Sequence, residues 1–524
     1  MKKIILAFCL MALVFPAFAK IRMGAPFTNG VVLQRGMKVP VWGDCGPCKI
    51  KREVVVEFAG QTKTAEVDGP SGRWSVVLDP MEASFESRKM VVRERIYDSF
   101  FCAWFCSTCD TVEVEDILVG EVWFASGQSN MECPVWGDNT RYRDAKGGLM
   151  TTMTHLPAVR YVKVPRKWSV DPVPQTAKWC RFTPEYLQLF HRVDTQLGGP
   201  DTGVSLSAVA FYYARELYLA LGVPVGIVDA SWGGTNIDAW TPRCGYENCV
   251  PEVRWLADYP LKKNWQAKAD RKDPVSAAHK QPTVLWNGMV DAFTPMAMRG
   301  FIWYQGCSND GEGDLYATKM HMLYDGWSKA FGNLDLRLYF VQLAPFNHNW
   351  VNIVHAQNRF ADEEKNAALA VTADVGNFDD IHPNDKEIVA KRLVVHALKR
   401  DYGFDIPEDC SPVFRSATFE NGRARISFDH VKDWYVYAPS RSREAAFEVA
   451  GADGVWQAAK IVNFRQRQDG KGRQADTDFI DGPTIIVASD KVAAPVKVRY
   501  MAKPRTVGTL YNEASLPLGV FESK

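Results

Sequence analysis

Hydrophobic and polar positions follow three successive patterns along the chain. In residues 20–116, short apolar runs such as VVLQRGMKVPVWG are broken by Gly, Pro and Asp, which is typical of short strands joined by turns. In residues 117–405, apolar strands alternate with helical stretches, the pattern of an α/β layer fold. Short strands such as TIIVAS return in residues 406–524. We therefore predict a β-sandwich domain, an α/β domain and a terminal β-domain with these bounds.

The middle region carries the clearest elements. One predicted helix, SAVAFYYARELYLALG, is followed by Gly222 and Pro224, which are helix stop signals. A second predicted helix has Asn384 as its N-cap and Glu387 as the partner in a capping box, and it ends at Gly403. Five strands are predicted in this region: ILVGEVWFAS, VPVGIVDAS, RGFIWYQ, RLYFVQLAP and AALAVTADVG.

The first twenty residues, MKKIILAFCLMALVFPAFAK, have the features of a secretory signal. Two lysines precede an apolar run from Ile4 to Phe15, and a small-x-small site, AFA, follows it, so we predict a signal peptide over residues 1–19. The apolar run is too short for a membrane anchor, and no later stretch approaches the ~20 apolar residues of a spanning helix. We expect a periplasmic or secreted protein without a membrane span.

The charge balance and the cysteine content bear on nucleic-acid binding and on the state of the cysteines. Lys and Arg total 62 against 61 Asp and Glu, which gives no indication of a nucleic-acid partner. Of the 12 cysteines, Cys9 lies in the predicted signal peptide, which leaves an odd number for an exported chain. The groups Cys45-x2-Cys48 and Cys102-x3-Cys106-x2-Cys109 have spacings suited to zinc, but export favours disulfides or buried thiols.

Reactive side chains follow the predicted strands. In open α/β sheets, ligands bind beyond the carboxyl ends of the strands, so residues at these ends are expected to meet at one rim. The residues that follow the strands carry a hydroxyl group, glycine backbone N–H groups, two side-chain amides and an imidazole. They are Ser129 in GQSNM, Gly233 and Gly234 in WGGTNIDAW, Gln305 and Asn309 in QGCSN, and His382 in NFDDIHPND. The serine turn is not the G-x-S-x-G elbow of α/β-hydrolases, because Met131 takes the place of the last glycine.

This set of groups suits acyl transfer. A serine nucleophile needs a base to take its proton, and the tetrahedral intermediate needs fixed N–H donors. We predict Ser129 as the nucleophile and His382 as the general base. The predicted oxyanion donors are the Ser129 backbone N–H, an N–H of Gly233 or Gly234, and the side-chain amide of Gln305 or Asn309.

Four long sequence blocks, in order, resemble those of the sialate O-acetylesterase family within the SGNH hydrolases: GEVWFASGQSNM, DASWGGTNIDAW, RGFIWYQGCSN and DDIHPNDKEIVAKRL. The flanking runs NGVVLQRGMKVPVWG and TLYNEASLPLGVFES also resemble that family. The resemblance implies a three-layer α/β/α core between flanking β-domains. It also implies removal of O-acetyl groups from sialic acids or sialoglycans, without a metal or other cofactor.

The same resemblance extends to single residues. Ser129 falls on the nucleophile, a glycine of WGGT on the second block, Gln305 on the carboxamide position and His382 on the base. The wider pattern places an aspartate three residues before the histidine, and that residue is Asp379 here.

Two features depart from the family pattern or leave an alternative open. The third block usually reads YQGESN, and Cys307 replaces the glutamate here, which removes a charge from the rim. Asp380 stands beside Asp379, so three alternatives stay open: Asp379 supports the histidine, Asp380 supports it, or the site is a Ser-His dyad without an acid. The competing functions are an acetylxylan or other polysaccharide acetylesterase, and a catalytically decayed sugar-binding protein.

Overall fold

The computed structural model describes residues 20–49, 51–96, 108–135, 153–187, 206–247, 250–256, 278–437, 446–468 and 474–523. The predicted signal peptide, Cys102 and Cys106 lie outside these ranges. Cys45 and Cys48 are free thiols. Within the described ranges, none of the helices combines the length and the apolar character that a membrane crossing needs.

The N-terminal region is built of strands, as its short apolar runs predict. β3 is the centre of a three-stranded antiparallel sheet of order β1-β3-β6, while β4 pairs with β5 and β7, and β7 pairs with β8. Along β6, buried and exposed residues alternate, which is the period of a strand with one face on a core. The strands are β1 (Arg22–Met23), β2 (Val32–Gln34), β3 (Val39–Asp44), β4 (Arg52–Phe58), β5 (Gln61–Glu66), β6 (Arg73–Leu78), β7 (Ser84–Ile96) and β8 (Thr108–Gly127).

The predicted border between residues 116 and 117 falls inside the long strand β8. The first half of β8 pairs with β7 of the N-terminal region, and its second half is a central strand of the α/β sheet. At the border, Asp116 has a positive φ of 55° and accepts hydrogen bonds from Arg160 at 2.9 Å and Arg181 at 2.8 Å. One strand therefore joins the two regions without a linker.

The central region is a mostly parallel sheet of order β10-β9-β11-β8-β12-β13-β14, in which only the edge strand β10 runs antiparallel. Its strands and helices are α1 (Ser129–Glu132), β9 (Leu156–Lys163), β10 (Cys180–Phe182), α2 (Ala208–Leu221), β11 (Val225–Ser231), α3 (Pro251–Arg254), β12 (Gly300–Tyr304), α4 (Leu315–Phe331), β13 (Arg337–Val341), α5 (Val351–Glu363), β14 (Ala367–Ala370) and α6 (Lys386–Arg400). All five predicted strands are present, as β8, β11, β12, β13 and β14.

Helices cover both faces of this sheet. Apolar residues of α2 and α6 form one buried cluster with strand residues such as Ala125 and Ile302. Residues of α4 and α5 join the neighbouring strand residues Phe124 and Phe301 in a second cluster on the opposite face. Successive strand residues thus point into different clusters, which gives three layers.

The helix ends test the predicted caps. α2 ends as predicted, with Gly222 in the left-handed conformation at φ 61°. The N-cap predicted for α6 is wrong: Asp385, not Asn384, accepts the Ile388 N–H at 3.1 Å. The capping-box role of Glu387 is not formed either, since its carboxylate lies 2.9 Å from Arg215. The helix also ends at Arg400 rather than at Gly403.

The C-terminal region consists of two sheets that enclose a third apolar cluster, which includes Ile426, Trp434 and Val498. The sheets have the orders β15-β16-β22-β19-β18-β23-β25 and β20-β21-β17-β24. Their strands are β15 (Val413–Glu420), β16 (Arg423–Asp429), β17 (Trp434–Tyr437), β18 (Phe447–Ala450), β19 (Trp456–Ile461), β20 (Arg465–Gln468), β21 (Gln474–Ile480), β22 (Thr484–Ala488), β23 (Lys497–Tyr500), β24 (Leu510–Tyr511) and β25 (Phe521–Glu522).

The close approach of β8 to β12 gives a stability prediction. Gly127 has a φ of 140°, and a Cβ there would lie 2.3 Å from the Tyr304 carbonyl oxygen. Gly60, in the turn between β4 and β5, also has a positive φ of 78° but has open space around it. We expect Gly60→Ala to cost about 1–2 kcal/mol for backbone conformation alone. Gly127→Ala adds overpacking of about 1–3 kcal/mol against rigid backbone.

Calorimetric unfolding of both variants beside the wild type checks this expectation. Gly127→Ala should lower the midpoint of thermal unfolding by clearly more than Gly60→Ala does. Equal shifts would show that the contact with Tyr304 is not restrictive.

Candidate active site

Ser129 is the first residue of α1 and is separated from the end of the sheet strand β8 by one residue. The preceding residue, Gln128, donates its N–H to the Tyr304 carbonyl at 3.0 Å. Its side-chain oxygen accepts the N–H groups of Gly306 at 3.2 Å and Ser308 at 3.3 Å. The turn that carries the predicted nucleophile is therefore fixed to the loop after β12.

His382 is buried in the loop between β14 and α6. A hydrogen bond connects the residue before His382 to the residue after Ser129. Asn130 donates a side-chain N–H to the Ile381 carbonyl at 3.1 Å, and its side-chain oxygen accepts a hydrogen bond from Lys386. The neighbour of the predicted nucleophile thus holds the neighbour of the predicted base, so the structure brings these two loops together.

The carboxylate at the imidazole is Asp380. Its Oδ1 lies 3.0 Å from His382 Nδ1 and also accepts the His382 backbone N–H at 3.0 Å. This short Asx-type turn fixes both the ring and the loop. A proton on Nδ1 toward the carboxylate leaves Nε2 as the basic nitrogen of neutral His382.

Asp379, the predicted acid, is not brought to the imidazole. Its side chain is 84% exposed and accepts a hydrogen bond from Arg505 at 3.1 Å. The turn at residues 380–382 closes on the carboxylate two positions before the histidine, which leaves the preceding one at the surface. Asp380, the alternative left open by the sequence, takes the place assigned to Asp379.

The environment keeps His382 neutral. Desolvation by burial lowers the pKa of His382 and outweighs the hydrogen bond that His382 donates to Asp380, which raises it; the nearby charge of Lys386 lowers it as well. A neutral imidazole is the form that accepts a proton in general-base catalysis.

Gly233 packs directly against Ser129. A Cβ added to Gly233 would lie 3.2 Å from Ser129 Cβ, so the second predicted strand end does meet the first. The Gly233 N–H, however, donates to Glu132 Oε2 at 2.8 Å. Gly234 follows with a φ of 72° and open space at its Cα. An oxyanion held by the Gly233 N–H would compete with the Glu132 carboxylate.

The two predicted carboxamides, Gln305 and Asn309, are buried and bonded to each other. Gln305 Nε2 donates to Asn309 Oδ1 at 2.7 Å and to the Thr235 carbonyl at 3.1 Å. Asn309 Oδ1 also accepts the Ile237 N–H at 3.0 Å, and its Nδ2 donates to Glu312 at 3.1 Å. These amides tie the WGGT loop to the loop after β12, and their roles as oxyanion donors stay predictions.

Glu132 and Arg166 were missed by the sequence analysis. Arg166 Nε donates to Glu132 Oε1 at 2.7 Å, and its guanidinium lies 5.7 Å from the centre of the Trp232 ring. Trp232 stacks on His279 with ring centres 5.1 Å apart. The position of Glu132 directly after GQSNM is a signal that the sequence offers. No local spacing connects Arg166 to Glu132.

Cys307 contributes no charge to the rim. Desolvation raises the pKa of its thiol to about 12, so the side chain is protonated near neutral pH. The substitution of the family's glutamate therefore does remove a negative charge from this position.

Comparisons with known proteins agree with the motif blocks. Residues 119–394, more than half of the chain, match the family model described as carbohydrate esterase, sialic acid-specific acetylesterase. A sialate O-acetylesterase from Rattus norvegicus is 30% identical over 395 residues, which cover 65% of this chain and 66% of the relative. A sialate O-acetylesterase from Homo sapiens is 28% identical over 369 residues, with 65% and 63% covered. The chain thus spans slightly less than two thirds of these relatives.

A solved structure is similar over almost the whole length. The crystal structure of a carbohydrate acetylesterase from Xanthomonas citri is 28% identical, with a TM-score of 0.74, and the match covers 96% of this chain and 99% of that one. The region that matches the family model, residues 119–394, includes the Ser129 turn, the WGGT loop, the loop after β12 and His382. The resemblance predicted from the four sequence blocks is confirmed, and the chain belongs to the family of sialic acid-specific carbohydrate acetylesterases.

Proposed function

We propose that this protein is a serine esterase that removes O-acetyl groups from sialic acids. The observation that carries the proposal is the pairing of neutral His382 with Asp380 in a loop that Asn130 holds beside Ser129. The relatives named sialate O-acetylesterase and the carbohydrate acetylesterase from Xanthomonas citri support the substrate class. An intact nucleophile, base and acid argue against a decayed, purely sugar-binding protein.

The proposed reaction follows the serine acyl-transfer scheme. Ser129 Oγ attacks the acetyl carbonyl while His382 Nε2 takes its proton. The Ser129 N–H and an N–H of Gly233 or Gly234 stabilise the tetrahedral oxyanion. Collapse releases the sugar alcohol, which receives the proton from His382, and leaves acetyl-Ser129. Water, deprotonated by His382, then attacks the acetyl-enzyme, and collapse releases acetate while His382 returns the proton to Ser129 Oγ.

Two carboxylates have separate roles in this scheme. Asp380 orients the imidazole and stabilises the imidazolium that forms during each proton transfer. Glu132 sets the position of the Gly233 backbone by accepting its N–H. A carboxylate so close to an oxyanion would oppose the reaction, and the ion pair with Arg166 offsets that charge.

The finer features of the fold and the location belong to the same proposal. The three layers around β8, β11 and β12 support an SGNH-type core. We also propose a division into residues 20–116, 117–405 and 406–524, with a signal peptide at residues 1–19 that directs the chain to the periplasm or outside the cell.

The test of the function is acetate release. Purified wild type, Ser129→Ala and the surface control Ser71→Ala are incubated with 9-O-acetylated sialic acid and with acetylated xylan. We expect wild type and Ser71→Ala to release acetate from the sialic acid, and Ser129→Ala to lose at least about 10³-fold in rate. Release from xylan alone would favour a polysaccharide acetylesterase, and no release by wild type from either substrate would contradict the esterase proposal.

The two adjacent aspartates form a matched pair. Asp380→Asn should lower kcat by about 10²–10⁴-fold, because the amide no longer holds the imidazole in the reactive tautomer. Asp379→Asn removes only an exposed contact with Arg505 and should stay within about twofold of wild type. Steady-state kinetics on both variants decide the assignment, and the opposite ranking would restore Asp379 as the acid.

The pH profile of kcat/KM reports the base. Because burial lowers the pKa of His382 from its ordinary value of 6.5, activity should persist below pH 6.5 and fall only as the imidazole becomes protonated. Lys386 contributes to this lowering, so Lys386→Met should raise the pKa and shift the acid limb of the profile upward. A downward shift in Lys386→Met would contradict the stated influence of Lys386 on His382.

A further inference from the structure

We infer that Glu408, Cys410 and His430 form a zinc site, separate from the esterase centre. Each residue offers one ligand atom, and the three atoms lie within 4.8 Å of one another. Glu408 and Cys410 belong to the segment between α6 and β15, and His430 directly follows β16. The three groups therefore come from two chain segments that the fold brings together.

Hydrogen bonds fix the orientation of the Glu408 carboxylate. Its Oε1 accepts the N–H groups of Asp409 at 2.9 Å and Cys410 at 2.8 Å, which fixes the side chain over its own loop. Its other oxygen, Oε2, lies 3.1 Å from His430 Nδ1. Oε1 thus stabilises the loop through backbone hydrogen bonds, and Oε2 faces the imidazole, where it is positioned to bind a cation.

A single buried amide holds the backbones of the other two residues. Asn512 is 1% exposed, and its Nδ2 donates to the Cys410 carbonyl at 3.1 Å and to the His430 carbonyl at 2.9 Å. His430 is kept at a φ of 60°, a conformation that non-glycine residues rarely adopt.

The ligand chemistry selects zinc. Thiolate, imidazole and carboxylate are the donors that zinc takes in proteins, whereas Ca²⁺ and Mg²⁺ prefer oxygen alone. Arg400 Nη2 donates a hydrogen bond to Cys410 Sγ at 3.2 Å, from outside the proposed metal shell. The charge of Arg400 is itself balanced by Asp409 at 2.7 Å, and Lys399 pairs with the same carboxylate at 3.2 Å.

The proposed site borders a groove from which a fourth ligand can enter. Cys410 and His430 line a groove of about 920 Å³ between the sheet edge at Ala367–Leu369 and the C-terminal strands. Water or a ligand entering this groove completes the tetrahedral shell. Zinc there would fasten the segment that leaves the α/β region to the turn after β16.

Metal content tests the inference directly. The wild-type protein is stripped with a chelator, dialysed against zinc chloride and analysed for bound zinc. Cys410→Ser and His430→Ala are expected to hold one molar equivalent less than the wild type. The matched controls, Cys180→Ser and His348→Ala, should keep the wild-type content; His348 is an exposed histidine that also pairs with a carboxylate, Asp310 at 2.8 Å.

Cobalt provides a second measurement that does not depend on the variants being stable. Titration of the stripped wild type with Co²⁺ should produce a thiolate-to-cobalt charge-transfer band, and zinc should abolish it by displacement. Zinc should also raise the unfolding midpoint of the wild type and of both controls, but not of His430→Ala. Absence of the band in the wild type, or equal zinc content in wild type, Cys410→Ser and His430→Ala, would overturn the inference.

Discussion

The parallel alignment of β8 between β11 and β12 is the constraint on which the candidate site depends. Gly127, the last residue of β8, pairs with Ser231 on one side and Tyr304 on the other, so three strands end at the same level. Each following loop then starts from the same edge of the sheet. A shift of one residue in either pairing would turn every strand side chain to the opposite layer and separate the serine from its partners.

Buried polar contacts convert this shared edge into a fixed arrangement. Gln128 joins the serine turn to the loop after β12, Gln305 and Asn309 join that loop to WGGT, and Asn130 joins the serine turn to the histidine loop. An amide left without a partner in such a place would cost about 1–3 kcal/mol, so each contact favours one geometry over its alternatives. The loops are positioned by these amides before any substrate enters, which is the condition for electrostatic preorganisation.

Sequence patterns predicted the parts of this arrangement that depend on order along the chain. The five strands, the residues at their ends and the family followed from long motifs and from the rule that strand ends share an edge. The choice between Asp379 and Asp380 depended on which carboxylate accepts the His382 N–H. The helix cap predicted at Asn384 was wrong by one residue, because the Asp385 side chain accepts the Ile388 N–H. Spacing counts residues but does not give backbone torsions, so it does not distinguish neighbouring residues in a turn.

Charge balance connects Cys307 to the base. The positive charge of Lys386 acts to lower the pKa of both His382 and the Cys307 thiol, although burial raises the pKa of the thiol overall. A glutamate at position 307, as in the usual YQGESN block, would place a negative charge against Lys386 and weaken its effect on the imidazole. With a neutral thiol there, position 307 does not oppose Lys386, so His382 stays neutral to lower pH. On this argument from charge, we expect a glutamate at position 307 to raise the pKa of His382 relative to the cysteine.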